Sequence, residues 1–165
     1  MAEIDWILKD VKVAVDDAVN IKAMYKLLKN WLIKFRYDYY EKEHIEDMKP
    51  EDAKNISIKM EADKKIDDYT KFHIELRLKG KDLKPVMRDK ELCVKGNVSV
   101  SFEAFLENDY EGKWDSPFYL KLYRTIYDKY IASDKYEKNA NNLKDEANDL
   151  ITKTKSFLRV EEFKR

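Results

Sequence analysis

The chain has one cysteine, no glutamine and no long apolar run, and these shortages exclude several classes of protein. The single thiol, Cys93, excludes an internal disulfide and a zinc site built from cysteines. Glu3 and Asp5 precede any apolar stretch, which is unlike a secretory leader, and no segment has the apolar length of a membrane span. We therefore expect a soluble, cytoplasmic protein.

Neither sign of charge is in excess. The chain contains 33 basic and 33 acidic residues, so no whole-protein field directs it toward nucleic acid or an acidic partner. Charged residues make up 40% of the chain, and the usage is rich in Lys and Glu. This usage is typical of heat-adapted proteins, but an AT-rich genome produces much the same bias. A thermophilic source is therefore one of two open interpretations.

One stretch organises the predicted fold. In residues 91–107, every even position from Leu92 to Leu106 is apolar or glycine, and most odd positions are polar. A period of two held this long predicts a strand with one buried and one wet face. At roughly 3.3 Å per residue it would extend about 55 Å, so we expect a bend at Gly96. A sheet face this long needs an equally long cover.

Three further segments alternate in the same way and predict neighbouring strands. They are residues 31–43, 56–62 and 70–79. The last two predict a hairpin in which Glu61 faces Lys71, and a turn centred on Pro85 sets Glu75 opposite Lys95. Both registers place opposite charges together on the wet face. We therefore predict a four-stranded antiparallel meander.

Apolar residues spaced alternately by three and four predict a helix near each end of the chain. At the N-terminus they form one stripe over residues 4–28. Val11–Val15 also alternates like a short strand, which leaves a break near residues 16–20 open. At the other end, Ser116 followed by Pro117 is a helix-start signal.

The C-terminal helix is predicted over residues 116–160, with a break near Ser133. Its first part is rich in aromatic residues and is the expected cover of the sheet. From residue 136 to 157 a strict four–three alternation forms a coiled-coil-type stripe. Two alanines and a threonine make this stripe weak alone, so it needs a partner.

Together these elements predict a single α+β domain over residues 1–165. Residues 1–30 form an N-terminal helical segment, and residues 31–107 form the antiparallel sheet. The long C-terminal helix covers one face of the sheet. The N-terminal helix pairs with the end of the C-terminal helix.

Residue types that carry out catalysis are sparse. His73 and Cys93 lie on adjacent predicted strands, and a Cys–His pair can form a nucleophile. In the predicted register they are diagonal and far apart, on an open face that lacks an oxyanion hole. We interpret them as a solvated histidine and an incidental thiol, and predict no catalytic residue.

Metal binding is also weakly indicated. His44 is followed by Glu46, but two histidines without a cysteine pattern are a poor metal signal. Acidic residues cluster at 63–68 and 109–115 without the spacing of a calcium loop. Turn formation and helix capping explain them. We predict no metal ligand and no cofactor.

Tyrosine is unusually frequent, with 11 copies. The candidates for a binding site are Tyr37, Tyr39, Tyr119, Tyr123, Tyr127 and Tyr130. One interpretation is packing in the core and at its rim, where each hydroxyl finds a partner. The other is a gap between the C-terminal helix and the sheet, which holds an apolar or amphipathic small molecule.

Three functions remain open. The first is a non-enzymatic assembly module that binds itself or another helical protein through the 4–28 and 136–157 stripes. The second is a ligand-binding module, because a long C-terminal helix over an antiparallel sheet is loosely similar to helix-grip (START-like) folds. This similarity is one of architecture alone, and it implies a hydrophobic pocket. The third is an enzyme that uses His73, His44 or Cys93. Cations on the wet face are mixed with carboxylates, so nucleic-acid binding is not indicated.

Overall fold

The described part of the chain forms one antiparallel sheet of five strands, flanked by helices. A computed structural model describes residues 3–111, 122, 125–126 and 132–163. The strands are β1 (Glu3–Val19), β2 (Asp38–Met48), β3 (Lys54–Lys65), β4 (Thr70–Arg88) and β5 (Glu91–Asn108). The helices with described bounds are α1 (Ile21–Lys34) and α2 (Ala132–Phe163), and a short 3-10 turn at Pro50–Asp52 joins β2 to β3. The strand order is β1-β5-β4-β3-β2. The predicted α+β class with an antiparallel sheet is confirmed.

The alternation in β5 positions the hydrophobic core. Its residues Val98, Val100, Phe102, Ala104 and Leu106 are all buried on one face of the sheet. Alternate residues of β3 and β4 join them in a single core cluster. The opposite face carries mostly polar side chains that stay partly exposed. The prediction of one dry and one wet face is therefore confirmed.

The predicted helix over residues 4–28 is wrong in its first two thirds. This segment is β1, which ends at Val19 and pairs with β5 along its length, so the sheet has five strands instead of four. Val11, Val13 and Val15 are β-branched and suit a strand that has a neighbour to pair with. Two bulges in the first half of β1 shift the alternation. This irregular spacing explains its resemblance to a helical stripe.

α1 begins directly after β1. The side chain of Asn20 accepts a hydrogen bond of 3.0 Å from the amide of Ala23 and caps the helix. α1 continues to Lys34, and β2 begins only at Asp38, so the first part of the strand predicted over 31–43 is wrong. The buried face of α1 consists of Met24, Leu28, Trp31 and Leu32. These four residues are spaced as one face of a helix, and burial of that face favours a helix over the strand that the alternation from residue 31 predicts.

Both predicted strand registers are also wrong. Glu61 lies opposite Glu75 instead of Lys71, and Glu75 lies opposite Glu103 instead of Lys95. Packing of the buried face and turn geometry determine strand register. Exposed ion pairs contribute at most about 1 kcal/mol each, so charge pairing was the weaker guide.

The part of α2 from Leu143 to Leu158 covers the dry face of the sheet. Its buried residues include Leu143, Ala147, Leu150, Thr154 and Leu158. The helix contacts β1 and β5. The 136–157 stripe therefore packs largely within its own chain. α2 is described from Ala132 onward, and residues 127–131 lie outside the described residues, so the break near Ser133 stays a prediction.

The two helices also contact each other. The indole Nε1 of Trp31 on α1 donates a hydrogen bond of 2.7 Å to Oδ2 of Asp149 on α2. The predicted pairing of an N-terminal helix with the C-terminal helix is therefore confirmed for α1. The aromatic-rich segment 117–131 lies mostly outside the described residues. Of its described side chains, Leu122 and Ile126 are exposed.

Candidate ligand-binding cleft

Among the described residues, the covering helices leave one end of the sheet open. There the first turns of α1 and the ends of β2, β3 and β5 enclose a cleft of about 810 Å³, which we call the α1 cleft. Its lining residues are Asn20, Ile21, Lys22, Tyr25, Glu41, His44, Glu46, Lys54, Ile56, Ile58, Glu91, Leu92 and Val94. The volume falls in the range of small-molecule sites, roughly 300–1,000 Å³.

The floor of the α1 cleft is apolar. Ile56 and Ile58 belong to the dry face of β3 and are buried. Val94 is half-buried, and Leu92 is 68% exposed. Ile21 projects from the first turn of α1 and is half-buried. The dry face thus extends beyond the helices into an open space, where an apolar group could cover it.

The β2 wall of the cleft is polar because of a bulge. Alternate residues of a regular strand share one face, so Glu41 would be grouped with residues 43 and 45. The register of β2 against β3 shifts between Glu41 and Glu43. This shift places His44 and Glu46 opposite the floor residues Ile58 and Ile56. The bulge therefore aims a histidine and a carboxylate into the cleft.

His44 lies between two carboxylates. Its Nδ1 is 3.2 Å from Oε1 of Glu41, and its Nε2 is 3.0 Å from Oε1 of Glu46. The hydrogen bond with Glu46 is the main cause that raises the pKa of His44, while burial opposes it. The same contact, assisted by the Lys54 ammonium, lowers the pKa of Glu46. These shifts favour the charged forms of both side chains.

Two further contacts extend this polar row. The hydroxyl of Tyr25 donates a hydrogen bond of 3.0 Å to Oε2 of Glu41. Burial and the neighbouring Glu41 raise the pKa of Tyr25. At the other end, Nζ of Lys54 lies 3.5 Å from Oε2 of Glu46. The row therefore alternates donors and acceptors, and its charges cancel when His44 is protonated.

The opposite rim is formed by the start of α1 and the end of the β4–β5 hairpin. Nδ2 of Asn20 donates a hydrogen bond of 3.2 Å to Oε2 of Glu91. Lys22 stands beside them on α1 and has no ion-pair partner in the part of the chain that the structure describes. A cation without a partner can meet a negatively charged group at the mouth of the cleft.

The predicted tyrosines are not the ones that line this cleft. Tyr37 is buried in the core, and its hydroxyl donates a hydrogen bond of 2.6 Å to Glu146 on α2. Tyr39 is half-buried, and the ammonium of Lys29 lies over its ring. The other four, Tyr119, Tyr123, Tyr127 and Tyr130, lie outside the described residues. Their role in ligand binding stays a prediction.

A second cleft, of about 400 Å³, lies between the first turns of α2 and the sheet. This is the predicted location, but Asp5, Asp67, Asn108 and Lys135 make much of its lining polar. It has about half the volume of the α1 cleft. The α1 cleft is therefore the stronger candidate.

The catalytic candidates are held in structural contacts. His73 lies between Asp63 (Nδ1 to Oδ1, 2.5 Å) and Glu107 (Nε2 to Oε2, 2.6 Å), and its ring stacks on Phe105 at 4.7 Å. Both ring nitrogens therefore face carboxylates. Cys93 is buried at the β4–β5 hairpin, twelve positions along β5 from the partner of His73, or about 40 Å.

Neither a metal-binding cluster nor a membrane-spanning helix is found among the described residues. Among the described residues, no group of three or more His, Cys, Asp or Glu side chains is arranged to hold a metal ion. No described helix is both long enough and apolar enough to cross a lipid bilayer.

Comparison with known proteins finds no significant similarity to a family model, to a curated protein or to a solved structure.

Proposed function

We propose that this protein binds an amphipathic small molecule in the α1 cleft. The apolar part of the ligand lies on the floor formed by Ile56, Ile58 and Val94, and its polar group reaches the charged rim. The observation that carries the proposal is the extension of the dry sheet face into an open cleft with charged side chains along one wall. An apolar ligand part would remove this floor from water.

The rim favours a ligand whose polar group is an anion or a hydrogen-bonding group. Lys22 and Lys54 stand on opposite sides of the cleft, and His44 lies between them along the β2 wall. A carboxylate at the mouth could accept hydrogen bonds from both lysines. The glutamates of the rim already have donors in Tyr25, His44 and Lys54, so they compete weakly for the ligand.

The arrangement of elements also supports a binding function. A final helix lies across the dry face of an antiparallel sheet whose first and last strands are neighbours. This is similar in architecture to helix-grip folds, although the α1 cleft is lined by α1 and the sheet and has no lining residue from α2. The similarity lends support at the level of architecture only.

Assembly through the terminal helices stays a prediction. Of the two stripes on which it depends, 4–28 is divided between β1 and α1, and much of 136–157 is buried against the sheet. A partner helix would have to displace these contacts. No contact among the described residues favours this function over ligand binding.

Filling the cleft tests the proposal. We expect an anilinonaphthalene sulfonate dye, which is apolar with one anionic group, to bind the wild-type protein and to be displaced by a straight-chain fatty acid. Val94→Trp places an indole on the floor and should weaken dye binding at least about tenfold. Ile21→Trp on the opposite wall should act in the same way. Dye fluorescence in a titration measures both.

The matched control is Ile33→Trp, because Ile33 is exposed on α1 and does not line the cleft. Circular dichroism checks that each variant is folded. An alternative explanation of the polar wall is that inward-pointing charges on the edge strand β2 block pairing with another sheet. That explanation requires no ligand site. Equal dye affinity in the wild type and both filled variants would support it and reject the proposal.

A further inference from the structure

The β4–β5 hairpin extends beyond the rest of the sheet. Pairing of β3 with β4 ends at Lys54↔Leu83, and a bulge follows between Lys81 and Lys84. We call residues 84–95 the hairpin arm. Between residues 86 and 93 its two strands pair only with each other, and its tip is the turn at 89–90. The arm therefore projects from the open end of the molecule.

The arm exposes two large apolar side chains. Met87 is 70% exposed and Leu92 is 68% exposed, and the two residues are direct cross-strand partners. Partners in an antiparallel pair point to the same face, so they form one apolar patch. Met48, at the nearby end of β2, is exposed to a similar extent. Exposed apolar groups gathered at one end indicate an interaction surface.

The hairpin segment itself is basic, although the neighbouring connector over residues 46–52 is acidic. Residues 79–95 contain six basic side chains and three acidic ones, although the whole chain is neutral. The basic residues are Lys79, Lys81, Lys84, Arg88, Lys90 and Lys95. Lys84 and Lys95 are direct cross-strand partners, which is an unfavourable like-charge pair. The carboxylate of Glu51 lies 3.8 Å from Nζ of Lys84 and offsets part of this repulsion, and a negatively charged surface beside the arm would relieve the rest.

We infer that the hairpin arm docks on the surface of a membrane that contains anionic lipids. Met87 and Leu92 enter the boundary between head groups and acyl chains, and the surrounding lysines contact the anionic head groups. A stable protein partner needs about 1,000 Å² of complementary surface, and the arm offers one apolar pair on a narrow ribbon. A lipid surface needs no matching shape, so it is the occupant that this patch favours.

The docking inference goes beyond the proposed function and does not depend on it. Leu92 lies both on the arm and at the rim of the α1 cleft, so docking would place the mouth of the cleft near the lipid. The two proposals can fail separately. Ile21→Trp fills the cleft from α1 and leaves every residue of the arm unchanged.

Sedimentation with lipid vesicles tests the inference. We expect the wild-type protein to bind phosphatidylcholine vesicles that contain phosphatidylglycerol, and to bind pure phosphatidylcholine much more weakly. The double substitution Met87→Gln with Leu92→Gln should reduce the partition constant of the protein on anionic vesicles about tenfold. Lys84→Gln with Lys90→Gln should reduce it by a similar factor, and raised salt should reduce it in the wild type.

Three controls accompany these variants. Ile33→Gln removes an exposed apolar residue elsewhere, and Lys138→Gln with Lys144→Gln removes two exposed lysines from α2. Neither should change vesicle binding, and Ile21→Trp should retain it. Three results would overturn the inference: absence of binding to anionic vesicles, equal losses in arm and control variants, or a dimer that forms through the arm and excludes vesicles. Loss of binding in Ile21→Trp would show capture of lipid by the cleft, which also overturns docking by the arm.

Discussion

The β4–β5 hairpin has a covered end, where the core packs against its dry face, and an open end, where the dry face is exposed. Leu78, on the dry face of β4, is fully buried in the core cluster. Leu92, on the same hairpin beyond the bulge, is mostly exposed. The comparison shows that alternation makes a face apolar, whereas burial needs a second layer to cover it.

The polar contacts of the two ends differ in the same way. In the covered part, Tyr37 is buried and donates to Glu146, which also receives a contact of 2.7 Å from Lys64. At the open end, Tyr25 makes the equivalent hydrogen bond to Glu41 near solvent. A buried donor and acceptor depend on each other, because water cannot replace a lost partner.

Truncation of one leucine at each end should give the largest difference. We expect Leu78→Ala to reduce the free energy of unfolding by about 2–5 kcal/mol, since it removes buried methyl groups and leaves a cavity. Leu92→Ala should change it by less than about 0.5 kcal/mol. Urea denaturation followed by circular dichroism measures both. Similar losses in the two variants would show that the open end is packed in solution.

Removal of one hydroxyl at each end should give an intermediate difference. Tyr37→Phe deprives Glu146 of a charge-assisted hydrogen bond in a buried setting, so we expect a loss of about 1–2 kcal/mol. Tyr25→Phe should cost less than about 0.5 kcal/mol, because water can reach Glu41. The same denaturation experiment applies. A larger loss in Tyr25→Phe than in Tyr37→Phe would reverse the comparison.

The smallest effect concerns pH at the open end. The pKa of His44 is raised in the folded state, so the stability that this group contributes is complete below its unfolded pKa of about 6.5. That stability is lost as pH rises through the higher folded pKa. Because His44 is 43% exposed, we expect less than about 0.5 kcal/mol.

The measurement compares unfolding of wild type and His44→Gln at about pH 5.5 and about pH 9. The variant should lack the part of the decline that the wild type shows between these values. Glu43→Gln on the same strand serves as the control, because Glu43 does not line the cleft. An identical decline in wild type and His44→Gln would contradict the assigned contacts with Glu41 and Glu46.

Segments with one dominant period could be predicted from the sequence. β5 alternates without interruption, and the dry face was identified from it correctly. β1 carries two bulges, and its apolar residues satisfy a helical and a strand spacing together. A single sequence does not show which neighbour is available, and pairing with β5 decides in favour of the strand.

The candidate cleft could not be predicted from the sequence, for a related reason. It depends on the bulge between Glu41 and Glu43, and on the place where α1 stops covering the sheet. The strand predicted over residues 31–43 ends before His44 and Glu46, whereas β2 continues to Met48. The sequence does contain a signal, since His44 lies between Glu41 and Glu46 and an apolar strand follows. That His44 and Glu46 lie opposite Ile58 and Ile56 is known only from the strand register.

The sequence alone determined the class of the protein and the identity of its dry face, because side-chain period is a local property of each strand or helix. Only the tertiary structure decided the fifth strand, the registers and the open end of the sheet. Each of these depends on contacts between residues that are far apart in the chain. Such contacts are set by the packing of the whole core and leave little trace in local sequence.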